Sequence, residues 1–351
     1  MEKEALINYI DLSFIKDILT KNDVTDITYN GRDIYYVTNK TGNVRSKIEV
    51  SSSEVKDFLR QIANKAEKQF NYINPILDLN IGRYRLNAVY SSVGRSFEEG
   101  VVTFALRIAS YTRKINHDHK FMDKEVEELL DKLLYSHFSI VISGLPGCGK
   151  TELQKYLVSR IKENERILII DNTIELSTTS IEEDKDITIW QADEKNKEAH
   201  VSNLIKNGLR INPDWMIISE ARGGEMSDIL NSAMTGVPII TTVHSLDALY
   251  TPERIAKAVL MNEKKIEYQD VLNNIKDHLR VYIHLKKIIT EEKTVHRYIS
   301  SIVLIDENGE KIEIYSNNLI RKKFAKIGHL LSKSFLIDAD KKKLGRFIKD
   351  E

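Results

Sequence analysis

The sequence predicts an α/β protein in which a smaller α+β domain precedes a domain built on a mainly parallel sheet. Between about residues 123 and 290, helical stretches alternate with short apolar runs, which is typical of a parallel sheet covered by helices. Before about residue 110, runs of alternating polarity and a hairpin turn indicate antiparallel strands beside a helix. The chain has 351 residues, which is long enough for two cores.

The first predicted domain covers residues 1–110 and contains four strands and a helix. Asn30-Gly31 is a hairpin turn signal between the first two strands. The helix follows a cap cluster at 51–54 and has its apolar residues at helical spacing. The predicted strands are 24–29, 34–37, 82–90 and 100–108.

Residues 111–122 are polar and lack periodicity, so we expect them to link the two domains. His117, Asp118 and His119 lie close together in this stretch and raise the alternative of a metal site. We favour a solvated linker, because no further ligands are in view.

The second predicted domain covers residues 123–320, and a basic tail covers 321–351. The tail carries apolar residues between many lysines and arginines, which predicts one or two amphipathic helices. Core packing or subunit contact is favoured over membrane binding, because lysine stems commonly cover apolar surface. The predicted parallel strands are 138–143, 166–171, 215–219 and 238–243.

The composition excludes several classes of protein. Lysine plus arginine and aspartate plus glutamate both number 52, so the zero net charge does not suggest a general binder of nucleic acid or membrane surfaces. Cys148 is the one cysteine, which excludes a disulfide framework and a cysteine-ligated zinc site. No apolar run is long enough to span a bilayer, and we expect a cytoplasmic protein.

Residues 144–151 fit the phosphate-binding pattern G-x-x-x-x-G-K-[ST], between a predicted strand and a predicted helix. Glycines let backbone N–H groups point at one anion, and the helix start adds positive potential. Lys150 would reach the β- and γ-phosphates of ATP, and Thr151 would bind Mg²⁺. The alternative is a glycine turn that fits the pattern by chance. The candidate nucleotide-binding residues are Gly144, Leu145, Pro146, Gly147, Cys148, Gly149, Lys150 and Thr151.

Cys148 lies inside this loop, so alkylation of its thiol is expected to abolish activity.

Polar residues follow the other apolar runs, at strand ends that face the nucleotide in such a sheet. Glu220 follows the run 215–219 and is a candidate to polarise the attacking water, directly or through Mg²⁺. Asp171 and Glu175 follow another run as a second carboxylate pair. His244 follows the fourth run, and a sensor of the γ-phosphate is favoured there over an ordinary loop histidine. Arg210 and Arg222 are candidate ion-pair partners for these carboxylates.

In this order, the segments resemble the type II/type IV secretion-system traffic ATPases over roughly residues 20–260. Residues 144–151 match the family's Walker A box and 171–175 its Asp box. Residues 209–222 match its Walker B box, and the segment ending at His244 matches its His box.

The resemblance implies a RecA-like ATPase domain, a PAS-like N-terminal domain and a homo-hexameric ring. It also implies that Arg83, Arg85 and Arg107 reach the nucleotide from the N-terminal domain. Arg83 and Arg85 occupy alternate positions of the predicted strand 82–90, so we expect them to share one face. If these arginines close over the phosphates, hydrolysis would move one domain against the other.

Three positions depart from the family pattern. Asp171-Asn172 stands where Glu-Asp is usual, so only Glu175 of this box carries over. Ser219 stands where glycine precedes the Walker B glutamate, and Gly236-Val237 stands where the His box begins Gly-His. These changes could slow turnover or shift the position of the water.

The main hypothesis is a Mg²⁺-dependent ATPase motor of a bacterial type IV secretion, conjugation, pilus or type II secretion machine. The segment Glu220–Glu225 resembles the conjugation and tight-adherence-pilus branch, and the single cysteine excludes the branch with a four-cysteine zinc module. Inner-membrane platform proteins are the expected partners, with no direct contact to nucleic acid. The alternatives are a nucleic-acid motor on the same core and a nucleotide-gated scaffold that hardly hydrolyses ATP.

Overall fold

The computed structural model describes residues 2–21, 23–96, 99–110, 113–115, 120–172, 175–176, 184–193, 196–221, 223–262, 266–291, 294–317 and 322–324. The chain divides into two compact units. The first unit is Met1–Tyr111 with Ile289–His296, and the second is Thr112–Ile288 with Arg297–Glu351. None of the described helices is both long and apolar enough to cross a membrane.

The first unit has one antiparallel sheet of six strands in the order β3-β2-β1-β8-β5-β4, with helices packed on it. Strands β6 and β7, which lie between β5 and β8 in the sequence, form a separate two-stranded antiparallel sheet. The elements are α1 (Glu2–Asp11), α2 (Lys16–Leu19), β1 (Val24–Tyr29), β2 (Ile34–Thr38), β3 (Asn43–Arg45), α3 (Ser52–Lys65), β4 (Ile76–Ile81), β5 (Tyr84–Val89), β6 (Arg95–Ser96), β7 (Glu99–Gly100) and β8 (Thr103–Ile108).

One face of this sheet is buried, as the alternating sequence pattern predicts. Strand β4 alternates exposed and buried residues, and its buried Leu77 and Leu79 join the same core as Phe58 and Leu59 of α3. Helix α3 begins where the Ser51 hydroxyl accepts a hydrogen bond from the Glu54 amide at 3.1 Å. The other face of β5 and β8 carries more exposed residues.

Ile289–His296 belongs to the first unit, although it lies far along the chain. The Val295 amide donates to the Lys40 carbonyl at 2.9 Å, and Thr41 and Thr294 form an antiparallel bridge. These long-range backbone contacts have no signal in the local sequence.

The second unit contains a nine-stranded sheet in the order β11-β10-β12-β13-β9-β14-β15-β16-β17. Its elements are α4 (Lys124–Tyr135), β9 (Ile140–Gly144), α5 (Lys150–Arg160), β10 (Ile167–Asp171), β11 (Ile187–Gln191), α6 (Val201–Gly208), β12 (Trp215–Ile218), α7 (Glu225–Met234), β13 (Ile239–Val243), α8 (Thr251–Asn262), α9 (Tyr268–His278), β14 (Val281–Ile289), β15 (Val295–Ile305), β16 (Lys311–Asn317) and β17 (Lys322–Phe324).

Six of these strands, from β11 to β14, are parallel, and the central ones are buried on both faces. In β9, Ile140 and Ile142 belong to the core that contains α4 and α5, whereas Val141 belongs to the core that contains α7, α8 and α9. Burial on both faces explains the continuous apolar runs of the sequence. Because these strands are parallel, the carboxyl ends of β9, β10, β12 and β13 lie at one edge of the sheet.

The structure contains the four predicted parallel strands, each within two residues of its predicted ends. The antiparallel β15 and β16 were not predicted, and Lys322–Phe324 pairs with β16 as a strand. The helix predicted to begin at residue 321 is therefore wrong for these three residues, and the rest of the tail lies outside the described residues. The linker residues His117, Asp118 and His119 also lie outside them. The boundaries 1–110, 111–122, 123–320 and 321–351 stay predictions.

His284 is expected to make the stability of the second unit depend on pH. It is buried in β14, and its Nδ1 lies 2.9 Å from the Ser143 hydroxyl of β9. Burial lowers the pKa of His284, and the nearby Lys286 and Lys150 lower it further against an opposing effect of Asp247. Its contribution to stability is present above the ordinary pKa of about 6.5 and is lost as the pH falls through the lowered folded value.

We therefore expect the His284→Gln variant to lose less stability than the parent between pH 7 and pH 5. Urea unfolding at several pH values measures this, with His278→Gln on α9 as the control. Parallel pH profiles for the parent and His284→Gln would contradict the assignment.

Candidate nucleotide-binding site

The loop between β9 and α5 has a backbone that requires glycine. Gly144, Gly147 and Gly149 have φ of 149°, 72° and 101°, which side-chain-bearing residues rarely adopt. A Cβ on Gly144 would lie 2.6 Å from the Cys148 sulfur and 2.7 Å from the Leu285 carbonyl oxygen. The first turn of α5 begins directly after Gly149. A glycine loop that leads into a helix start fits a phosphate group.

Lys150, His244 and Glu220 form a connected series at this loop. The Lys150 ammonium donates to the carbonyls of Gly144 at 3.0 Å and Leu145 at 3.3 Å, and it lies 3.4 Å from His244 Nδ1. An ammonium can only donate, so His244 Nδ1 accepts and Nε2 carries the ring proton. Nε2 then donates to the Glu220 carboxylate at 2.7 Å. The structure thus brings together three residues that the sequence placed at separate strand ends.

The residues around the loop suit a magnesium ion that is bound together with phosphate. Thr151 lies half-buried in the first turn of α5, and Glu220 directly follows β12 with 13% of its side chain exposed. The described residues contain no group of three or more histidine, cysteine, aspartate or glutamate residues that could hold a metal ion. A hydroxyl and a carboxylate fit Mg²⁺, which keeps waters and substrate phosphates among its ligands.

Of the predicted carboxylate pair Asp171 and Glu175, only Glu175 remains a candidate catalytic residue. Asp171 is fully buried at the end of β10, and its carboxylate accepts a hydrogen bond from the Leu176 amide at 3.0 Å. Its role is to hold the following turn. Glu175 is half-buried in that turn, and residues 173 and 174 lie outside the described residues.

Asn172 and Ser219 join the ends of β10 and β12 by reciprocal hydrogen bonds. The Ser219 hydroxyl accepts from the Asn172 amide at 2.9 Å and donates to the Asn172 side-chain oxygen at 2.6 Å. The Asn172 side-chain nitrogen donates to the Glu220 carbonyl at 3.0 Å. Two of the residues that depart from the family pattern, Asn172 and Ser219, therefore interact directly and fix the backbone of Glu220.

Further hydrogen bonds that the sequence did not reveal hold the elements of the site. Gln154 of α5 is fully buried and donates to the carbonyls of Ile218 and Ile240 at 2.8 and 3.2 Å. It fixes the helix behind the glycine loop to β12 and β13. Thr242 donates to the Ser219 carbonyl at 2.8 Å. A buried glutamine in a helix has no local sequence signal for such a role.

A cavity of about 240 Å³ adjoins the His244–Glu220 pair. Its far side is largely apolar and comes from α7 and α8. Arg254 of α8 donates to the His244 carbonyl at 2.7 Å and so holds the loop after β13. The lining residues are Glu220, Ala221, Met226, Val243, His244, Arg254, Ile255 and Ala258.

The structure places Cys148 differently from the expectation. Its side chain is 1% exposed and belongs to the core with α4 and α5, and burial raises the pKa of the thiol. Burial of the Cys148 side chain speaks against the expected sensitivity to alkylation in the folded protein, and that sensitivity stays a prediction. Leu145, by contrast, is 58% exposed on the loop.

The predicted arginines lie in the first unit. Arg83 is not in a strand but in the turn between β4 and β5, so the argument from alternate strand positions is wrong for it. Its guanidinium donates to the Tyr84 hydroxyl at 2.6 Å and lies 3.5 Å from the Asp11 carboxylate. Arg85 of β5 and Arg107 of β8 are directly opposite each other and share a face.

Arg210 does not lie near the strand-end carboxylates for which it was a candidate ion-pair partner. It is exposed and lies before β12, at the opposite end of that strand from Glu220. Arg222 lies outside the described residues.

The parallel sheet and the glycine loop at its carboxyl edge define a P-loop α/β protein. The family model of the Type II/IV secretion system proteins matches residues 76–301, which is more than half of the chain. The chain therefore belongs to the Type II/IV secretion system protein family, and the predicted resemblance is confirmed.

Two relatives are similar in sequence. An uncharacterized protein of Bacillus anthracis is 28% identical over 311 residues, covering 84% of this chain and 67% of the relative. The type IV secretion system protein VirB11 of Bartonella henselae is 27% identical over 196 residues, covering 54% of each chain. The match thus spans about half the length of VirB11.

Solved structures show the same fold. The ATPase DotB of Legionella pneumophila has a TM-score of 0.61 at 19% identity, covering 84% of this chain and 80% of DotB. The pilus retraction motor PilT, solved with bound ADP, has a TM-score of 0.53 at 17% identity, covering 81% of each chain. These likenesses confirm the predicted α/β fold class, with a P-loop ATPase fold preceded by a smaller domain.

The Asn172–Ser219 pair yields a prediction about coupling. Ser219→Ala leaves the Asn172 amide and side-chain oxygen without their partner, and we expect a loss of about 1–2 kcal/mol in the free energy of unfolding. Asn172→Ala should cost a similar amount, and the double variant should cost less than the sum by about 1 kcal/mol. Urea unfolding measures all four proteins, with Asn203→Ala as an unrelated asparagine control. Strict additivity would show that the two side chains act independently.

Burial of Cys148 yields a second prediction. A maleimide should react with the folded protein at least about tenfold more slowly than with the urea-unfolded chain, because the reactive thiolate is both inaccessible and disfavoured. Thiol titration over time measures the two rates. Equal rates would place the sulfur on the accessible side of the loop.

Proposed function

We propose that this chain is a Mg²⁺-dependent ATPase that works as a ring-shaped motor of a bacterial type IV secretion, conjugation, pilus or type II secretion machine. The observation that carries the proposal is the connected series of Lys150, His244 and Glu220 beside a glycine loop at the carboxyl edge of the sheet. Family membership and the DotB and PilT folds support the same activity.

The glycine loop supplies the binding energy for the phosphates. Backbone N–H groups of the loop and of the first turn of α5 would donate to a phosphate bound there. Lys150 exchanges its bonds to the carbonyls of Gly144 and Leu145 for phosphate oxygens, which as charged acceptors bind an ammonium more strongly. The Thr151 hydroxyl and Glu220, directly or through water, would hold Mg²⁺, which would supply positive charge to the phosphates.

Glu220 acts on the attacking water. Its backbone is fixed by Asn172, and its carboxylate is largely buried beside a cavity that gives room for water. In this position it can orient the water and accept its proton. The His244 Nε2–H group donates a hydrogen bond to Glu220, and Nδ1 accepts one from Lys150, so His244 connects the phosphate-binding cation to the catalytic carboxylate. Glu175 is a second carboxylate near the same sheet edge.

The motor function rests on assembly. We propose a homo-hexamer that lies at the cytoplasmic face of the inner membrane through platform proteins, because the relative VirB11 is a type IV secretion system protein. Arg85 and Arg107 form a pair of cations on the first unit, and Arg83 lies at the turn before β5. If these arginines meet the phosphates during the cycle, hydrolysis changes the position of one unit against the other.

Three variants test the activity. The parent should hydrolyse ATP with Mg²⁺ and stop when EDTA is added. Lys150→Ala should lose nucleotide binding, whereas Glu220→Gln should bind ATP normally and lose at least about 100-fold in turnover. Glu163→Gln, at an exposed glutamate after α5, is the matched control and should behave as the parent. Phosphate release and binding of a fluorescent ADP measure these effects.

The remaining outcomes separate the alternatives. Equal, negligible turnover of the parent and Glu220→Gln, with binding retained, would favour a nucleotide-gated scaffold. DNA-stimulated turnover would favour a nucleic-acid motor. A parent that binds no nucleotide would overturn the proposal. Light scattering with and without MgATP measures the molar mass of the assembly and so tests for a hexamer.

A further inference from the structure

Two cations of the second unit adjoin the glycine loop and belong to none of the motifs in the sequence. Arg297 of β15 donates from Nε to the Gly147 carbonyl at 2.8 Å. Lys287 of β14 places its ammonium 3.3 Å from the point where a Cβ of Gly147 would lie. Apart from Gly147 and its two chain neighbours, no other described heavy atom lies within 4 Å of that point.

The position of Lys287 follows from the strand register. Leu285 of β14 is paired with Gly144 at the end of β9, so Lys287 lies two residues beyond the point where the phosphate loop begins. Because side chains at alternate positions of a strand share a face, Lys287 and Leu285 point to the same side of the sheet, and Lys286 points to the other. Lys287 and Lys286 are both exposed, and they differ in the side of the sheet to which their side chains point.

Three cations lie at or close to Gly147. Lys150 lies in the same loop, Arg297 holds the Gly147 carbonyl, and Lys287 lies next to the glycine. Neighbouring like charges repel and cost stability unless an anion compensates them. No hydrogen bond or ion pair joins Lys287 to another described residue. A lysine in this position is suited to an anionic ligand on the loop.

We propose that Lys287 is a phosphate-binding residue of the same subunit, whose ammonium binds an oxygen of the nucleotide phosphates at Gly147. Arg297 is a positioning residue, since it acts through the Gly147 carbonyl. The inference rests on the proposed nucleotide site and adds to it a cation that the loop motif does not contain. The positive charge that phosphoryl transfer requires then comes in part from β14 of the same chain.

The test measures binding, independently of turnover. We expect Lys287→Ala to weaken ADP about tenfold, because it removes one exposed charge-assisted hydrogen bond. The affinity for pyrophosphate, which has no nucleobase, should fall by a similar factor in Lys287→Ala. Lys287→Arg should retain most of the affinity, and Lys286→Ala, the adjacent exposed lysine, should stay within about twofold of the parent. Isothermal titration calorimetry measures the dissociation constants.

Two controls separate the possible failures. Without nucleotide, Lys287→Ala should unfold at a temperature no lower than that of the parent, since the side chain is exposed and its removal relieves repulsion between like charges. If the parent binds ADP and Lys150→Ala does not, but Lys287→Ala binds as the parent does, this inference fails while the proposed function stands. An equal loss in Lys286→Ala would also overturn it, because the effect would then be one of general charge. A parent that binds neither ADP nor pyrophosphate would refute both.

Discussion

The site depends on a sheet whose parallel strands are buried on both faces. In β9, β10, β12 and β13 every residue is buried, so close packing on both faces holds these strands in place. Their carboxyl ends are therefore held at one edge. Gly144, Asp171 and Val243 end three of these strands, and the functional side chains lie within a few residues of such ends. A rigid core of this kind can hold charged groups close together.

The lysine and the glutamate of the connected series each have a partner at this edge. Lys150 would be costly to bury alone, and it is held by two carbonyls and by His244. Glu220 in turn accepts from His244. Because the neutral imidazole both accepts and donates, it joins a cation to a carboxylate without adding charge of its own. Nucleotide binding, as proposed, can then replace the partners of Lys150 without leaving Glu220 unpaired.

The sequence predicted the elements whose signals are local. The four parallel strands are continuous apolar runs, and the glycine loop has a fixed spacing. By contrast, strands β14–β16 were not predicted. In β14, the charged residues Lys286 and Lys287 interrupt the apolar pattern near the end of the strand. The position of Arg83 in a turn, and of Cys148 in the core, depends on backbone geometry that residue type alone does not determine. Lys287 and Arg297 meet the loop only through strand pairing.

The departures from the family pattern are best understood together. A glycine at position 219 would remove the hydroxyl that both accepts from and donates to Asn172. An aspartate at position 172 would remove the side-chain N–H that holds the Glu220 carbonyl, and would bring a second negative charge toward Glu220. Serine at 219 and asparagine at 172 therefore satisfy each other. Each residue by itself departs from the family pattern. Together, the two residues provide another way to fix the backbone of Glu220.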